Sequence, residues 1–125
     1  MSAKKVKSMQ TGVDIEDISR FKGKTLENDE HFLKRVYTKN ELDYCFSKKM
    51  PEKHLAARFC AKEAVIKALS NILNKKLSYS QIEILNTPNG APYVNLLEET
   101  RDIKISLSLS HDRDKAIAFV IAQEK

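Results

Sequence analysis

Within Arg58–Leu69, reading RFCAKEAVIKAL, Glu63 and Lys67 stand four residues apart. On a helix that spacing puts both side chains on one face, about one turn from each other. Alone, such a pair is ordinarily a surface ion pair contributing about 0.2–0.5 kcal/mol. Residues elsewhere change its meaning: Asp14 in Gly12-Val13-Asp14, and His111 in Ser110-His111-Asp112. Asp14 and Glu63 come from different elements and could converge as two carboxylates on a hard cation. Mg²⁺ takes one or two carboxylates, keeps several waters and completes its shell with substrate phosphates. Lys67 can neutralise an adjacent phosphate oxygen, and Arg58 and Lys62 add donors on the same helix. His111, in a turn, suits a phosphate donor or a proton shuttle. Each residue also has an ordinary role, since Asp often ends a strand and a turn His is commonly solvated. Spacing alone leaves both readings open.

The elements that must position these residues can be read along the chain. Thr11–Ile15 reads as a short strand delivering Asp14 at its end, and Glu16–Phe21 as a helix with Ile18 and Phe21 inward. His31–Val36 is a short helical piece. Thr38-Lys39-Asn40-Glu41 has the form of a capping box opening a helix through Leu42 and Phe46. Pro51 sits where proline is best tolerated, in the first turn of a long helix running to about Leu73. Gln81–Leu85 alternates as a strand, Asn89-Gly90 signals a hairpin turn, and Ala91–Leu96 returns. Lys104–Ser110 alternates Ile105, Leu107 and Leu109 against serines. His111–Lys115 turns, and Ala116–Ala122 is a nearly continuous apolar strand. The expected fold is α+β, a single domain over 1–125 with an antiparallel sheet packed on one long helix. Met1–Gln10 reads as a Lys-rich leader, partly flexible.

Composition narrows the class. With 125 residues, 42% hydrophobic and 31% charged, the chain fits one globular domain with a modest core. No apolar run approaches the roughly 20 residues of a membrane helix, and the basic start has no apolar run behind it, so the expected compartment is the cytoplasm. Cys45 and Cys60 are too few for a disulfide framework and lack metal-ligand spacing. The net charge is +5, with bases concentrated between Arg20 and Lys76. Such a surface attracts nucleic acid, anionic lipid, phosphorylated small molecules or an acidic protein. The absence of Trp, of an RNP-like pattern and of a zinc-finger pattern weighs against nucleic acid.

Gly12-Val13-Asp14, Arg58–Leu69 and Ser106–His111 with the Ala-rich strand after it resemble the three signature blocks of the 4′-phosphopantetheinyl transferases. The nearest likeness is to the short, trimeric holo-[acyl-carrier-protein] synthase class. The resemblance runs from about Gly12 to Ala122 and includes Thr38–Leu42 and Asn89–Tyr93. It implies a Mg²⁺-dependent transfer of the phosphopantetheine arm of coenzyme A to a serine of apo-acyl carrier protein, for fatty acid biosynthesis. Asp14 and Glu63 match the family's metal-binding carboxylates. Lys67 matches the lysine that helps the leaving phosphate depart. Arg58 and His111 are similar to residues lining the coenzyme A site, which in this class lies between subunits of a homotrimer. Arg20 matches a basic residue that docks the acidic carrier, with Lys24 beside it as a helper. Either Glu63 or a water held on the metal by Asp14 would take the serine proton. The chain departs from the family at Gln10, where relatives commonly carry Gly. It departs again after Leu69, where Ser70-Asn71-Ile72-Leu73-Asn74-Lys75-Lys76 replaces a Gly-rich turn. Alternative readings are the same transfer to a polyketide or peptide-synthetase carrier, or a non-catalytic coenzyme A-binding module.

Overall fold

The structure, a computed structural model, describes residues 9–125. Its elements in chain order are β1 (Met9–Asp17), α1 (Glu30–Val36), α2 (Lys39–Phe46), α3 (Pro51–Leu73), β2 (Ile82–Asn86), β3 (Pro92–Leu96), β4 (Ile103–Asp112) and β5 (Lys115–Glu124). Short 3₁₀ turns cover Ile18–Phe21 and Tyr79–Gln81. The α+β class stands, with one refinement. The strands form two antiparallel ladders, β1-β5-β4 and β2-β3, rather than one continuous sheet.

The long helix begins with Pro51 in its first turn, as its fixed φ and missing N–H favour. It ends on Asn74, at φ 54 and ψ 33, in the left-handed conformation usually supplied by glycine. Asn74 thus ends the helix where the family's glycine-rich turn would follow. The Thr38 capping box is present in full, with Glu41 N–H donating to Thr38 Oγ1 and Thr38 N–H to Glu41 Oε1.

Three boundaries move. The expected turn over His111–Lys115 shrinks to Arg113 and Asp114, because His111 and Asp112 stay in the ladder opposite Ala116 and Lys115. The expected helix over Glu16–Phe21 is a 3₁₀ turn starting at Ile18, because Glu16 and Asp17 are taken into the ladder opposite Ala116 and Lys115. Of the expected Met1–Gln10 leader, residues 1–8 lie outside the described residues, while Met9 and Gln10 open β1 opposite Gln123 and Ala122.

β5 is central, with α3 lying on its inner face. Ala118, Val120 and Ala122 turn inward and are fully buried against the Cys60–Leu73 part of the helix, while Ala116, also fully buried, belongs to the cluster around Phe59. Small inward side chains let helix and sheet approach closely. A second cluster, around Phe21, Leu33, Val36, Leu55 and Phe59, joins the first turns of α3 to α1 and the 3₁₀ turn.

Candidate functional site

β1 crosses α3 at a point where only glycine fits: a Cβ on Gly12 would fall 1.9 Å from the Ala64 carbonyl oxygen. Two residues on, the strand delivers Asp14 against the same helix. Cys60 Sγ donates to the Asp14 carbonyl at 3.0 Å, and Lys67 Nζ donates to Asp14 Oδ1 at 3.1 Å and to the Val13 carbonyl at 3.0 Å. Cys60, Glu63, Ala64 and Lys67 occupy positions i, i+3, i+4 and i+7 of one helical face. Glu63 therefore lies between the two side chains that already hold Asp14. Its Oε1 accepts a hydrogen bond from the Tyr79 hydroxyl.

Electrostatics mark this corner. Asp14 Oδ2 is buried and has no hydrogen-bond partner, an arrangement that is costly unless something else coordinates the oxygen. Glu16, two residues along the strand and on the same face as Asp14, has its carboxyl pKa raised. Burial is the largest cause and repulsion from Asp14 the next, with Arg20 opposing and Glu63 adding to the rise. Glu16 thus senses both Asp14 and Glu63. Among the described residues no three His, Cys, Asp or Glu side chains converge as a ready-made ligand set. Two carboxylates with room for water and substrate oxygens suit Mg²⁺ rather than an all-protein cage. The donor set fits a hard cation: oxygen ligands only, one of them orphaned. Cys60 is no competitor, because burial first and Asp14 second push its thiol up to about 12, leaving it protonated at neutral pH.

Arg58 and His111 meet in a different place, a groove of about 410 Å³ that also takes in Tyr44, His54, Asn86 and Pro92. The Arg58 guanidinium lies 3.9 Å from the centre of the Tyr44 ring and donates to Asn86 Oδ1 at 2.6 Å, while its Nε is buried without a partner. His111 stands exposed at the end of β4, paired with Ala116 across the ladder. β5 separates the two features: the carboxylates sit on the β1 side and the groove on the β4 side.

Lys62 belongs to neither, which corrects its expected place among the nucleotide-binding donors. Its side chain is fully buried, 2.7 Å from Glu41 Oε1, and donates to the carbonyls of Val36 (2.7 Å), Ile82 (2.7 Å) and Tyr79 (3.0 Å). Glu41 Oε2 in turn accepts from the Ile84 N–H at 2.8 Å. A lysine this enclosed has no donor to offer a ligand. Its pKa is lowered, by burial first, with Glu41 working against the drop.

Arg20 and Lys24 lie on or just beyond the 3₁₀ turn. Arg20 pairs with Glu16 at 3.2 Å and lies over the Phe59 ring at 5.0 Å, with about half of its side chain exposed. Lys24 lies 3.8 Å from Asp29 and over the Phe32 ring.

Glu16 and Tyr79 are residues of this corner that sequence reasoning did not single out. Glu16 had a signal, since alternate residues of a strand share a face and Asp14-x-Glu16 is such a pair. Tyr79 had none, standing in a 3₁₀ turn without periodicity.

The profile of the 4′-phosphopantetheinyl transferase superfamily matches residues 10–120. The holo-[acyl-carrier-protein] synthase of Dehalococcoides mccartyi (strain CBDB1) is 50% identical over 123 residues, covering 93% of this chain and 99% of the relative. A holo-[acyl-carrier-protein] synthase of Helicobacter pylori, solved in complex with coenzyme A, is 31% identical with a TM-score of 0.72, covering 90% of this chain and 98% of that one. The Chronobacterium ammoniagenes enzyme, solved as its coenzyme A complex, is 28% identical with a TM-score of 0.73, covering 94% and 98%. With the carboxylate corner, the lysine beside it and these likenesses over nearly the whole chain, the protein belongs to the 4′-phosphopantetheinyl transferase superfamily.

Proposed function

We propose that this chain is a holo-[acyl-carrier-protein] synthase. It would transfer the 4′-phosphopantetheine of coenzyme A to a serine of apo-acyl carrier protein and release adenosine 3′,5′-bisphosphate. The observation that carries the reading is the buried, unpartnered Asp14 Oδ2 beside Glu63 and Lys67. Asp14 and Glu63 would hold Mg²⁺, with Glu16 close enough to strengthen the local field. Bound there, the ion supplies charge neutralisation for the pyrophosphate and aligns its oxygens.

The chain's own residues do the rest. The serine oxygen forms a new bond to the β-phosphorus of coenzyme A while the P–O bond to the nucleotide's phosphate breaks. Either Glu63 or a water held by Asp14 would take the serine proton. Lys67, about half exposed, can turn from Asp14 to the leaving phosphate and offset its charge. Arg58 and His111 line a groove suited to the phosphorylated nucleoside end. Arg20, paired with Glu16, and Lys24, both partly exposed, suit docking of an acidic carrier.

Two features support a shared site between subunits. Carboxylates and groove lie on opposite sides of β5, so one protomer's groove serves best with a neighbour's carboxylates. The outer face of the sheet also exposes Val13 (52%) and Ile15 (59%) opposite Phe119 (44%) and Ile117 (41%). An apolar patch of this kind marks an interaction surface, and we assign it to the trimer. Residues 1–125 act as one domain in this reading. Among the described residues no helix is long and apolar enough to cross a membrane; the cytoplasm is the compartment we propose.

Intact mass of apo-acyl carrier protein after incubation with this chain, coenzyme A and Mg²⁺ tests the proposal. It expects the mass of one phosphopantetheine to be gained, and none with chelator present. Nucleotide binding with no gain on any carrier would leave a coenzyme A-binding module instead.

A further inference from the structure

Glu63 is held from outside its own helix. Tyr79 donates its hydroxyl to Glu63 Oε1, and that tyrosine is fixed at two other points. Its ring packs on Phe59 with centroids 5.4 Å apart. Its carbonyl accepts from Lys62 Nζ at 3.0 Å, and Lys62 is itself locked by Glu41 and by the carbonyls of Val36 and Ile82. A fully buried ion pair therefore fixes the backbone from which the phenol reaches the carboxylate.

A tyrosine phenol is ordinarily protonated at neutral pH and so serves as a donor to the carboxylate. A carboxylate with one oxygen committed to a fixed donor loses rotamer freedom and presents its other oxygen in one direction. Asp14 is arranged alike: Lys67 takes Oδ1 and leaves Oδ2 unpartnered. Partners of this kind behind metal ligands typically change metal affinity by about 10- to 100-fold when removed.

We propose that Tyr79 is a positioning residue for the metal site, orienting Glu63 through its hydroxyl so that the free oxygen faces Asp14. The proposal rests on the two-carboxylate metal reading above.

Direct Mn²⁺ binding, followed by the loss of the free-ion EPR signal, tests it in the full chain. The variants are Tyr79→Phe, Asp14→Ala and Glu63→Ala. Tyr79→Phe keeps the ring that packs on Phe59 and removes only the hydroxyl, so its melting temperature should stay near that of the parent. Its Mn²⁺ affinity should drop by about 10-fold or more, and saturating Mn²⁺ should restore most of its kcat, as a packing defect would not allow. Unchanged or tighter Mn²⁺ binding in Tyr79→Phe, with binding lost in Asp14→Ala, would overturn the positioning role alone. Binding unaffected in both Asp14→Ala and Glu63→Ala would overturn the metal reading, and the role of Tyr79 with it.

Discussion

Gly12 lies so close to Ala64 that its α-hydrogen occupies the only space between β1 and the carbonyl oxygen of α3; an added Cβ would also fall 3.0 Å from the Ala68 nitrogen. Both obstacles are backbone, so neither can swing aside. Gly12→Ala must push β1 off the helix, and overpacking of this kind costs about 1–3 kcal/mol or more. Asp14 moves with the strand, so metal affinity should fall together with stability. Urea denaturation and Mn²⁺ titration measure the two; a variant unchanged in both would mean that the strand does not set the position of Asp14.

Lys62 and Glu41 are each wholly buried, 2.7 Å apart. Removing one partner strands the other charge in the core. Lys62→Met should therefore destabilise the fold by about 3–5 kcal/mol while leaving the KM for coenzyme A unchanged in whatever fraction remains folded. Normal stability with a raised coenzyme A KM would return Lys62 to the nucleotide site.

These two cases also show what the sequence could and could not disclose. The long helix, the Thr38 capping box and the strand bearing Asp14 depend on local signals: a proline in the first turn, a Thr–Glu spacing, an alternation. They were legible for that reason. Lys62 was misplaced because helical spacing puts it on a face with Arg58, whereas its surroundings are set by carbonyls of Val36, Tyr79 and Ile82, which belong to other elements. The split of the strands into two ladders and the reach of Tyr79 to Glu63 are likewise products of tertiary packing. A resemblance to known motifs located the carboxylates; it carried no information on what stands behind them.

His54 shares the groove with Arg58 and His111. Its pKa is lowered, by burial first and then by the charges of Arg58, Lys48, His111 and Lys53. Between its folded pKa and the ordinary value near 6.5, the unfolded chain binds more protons than the native one. This group's contribution to stability is therefore present above about pH 6.5 and lost as pH falls through the folded pKa. Melting temperatures recorded from pH 7 to 5 should decline less steeply in His54→Phe than in the parent. Adenosine 3′,5′-bisphosphate should move the His54 pKa upward in an NMR titration, since an anion in the groove reverses the local field. Parallel melting curves and an unmoved resonance would contradict both the burial and the anion site.

Phe119 sits in the middle of the exposed apolar sheet face, paired with Val13 and flanked on the other strand by Ser108. Phe119→Asp should convert a trimer into monomers in sedimentation velocity, with transfer lost even though Asp14, Glu63 and Lys67 stay in place. A parent chain that sediments as a monomer, or a monomeric variant with full turnover, would contradict sharing of sites between subunits.

The central claim is that Asp14 and Glu63 together hold the divalent ion on which transfer depends. Single-turnover transfer to apo-acyl carrier protein, read by intact mass across a Mg²⁺ titration, tests it most directly. For Asp14→Ala and Glu63→Ala the account predicts a rate lower by about a hundred- to a thousand-fold, the scale of several kcal/mol of lost charge stabilisation, with the fold retained. Near-parental rates and an unshifted Mg²⁺ midpoint in either variant would contradict it.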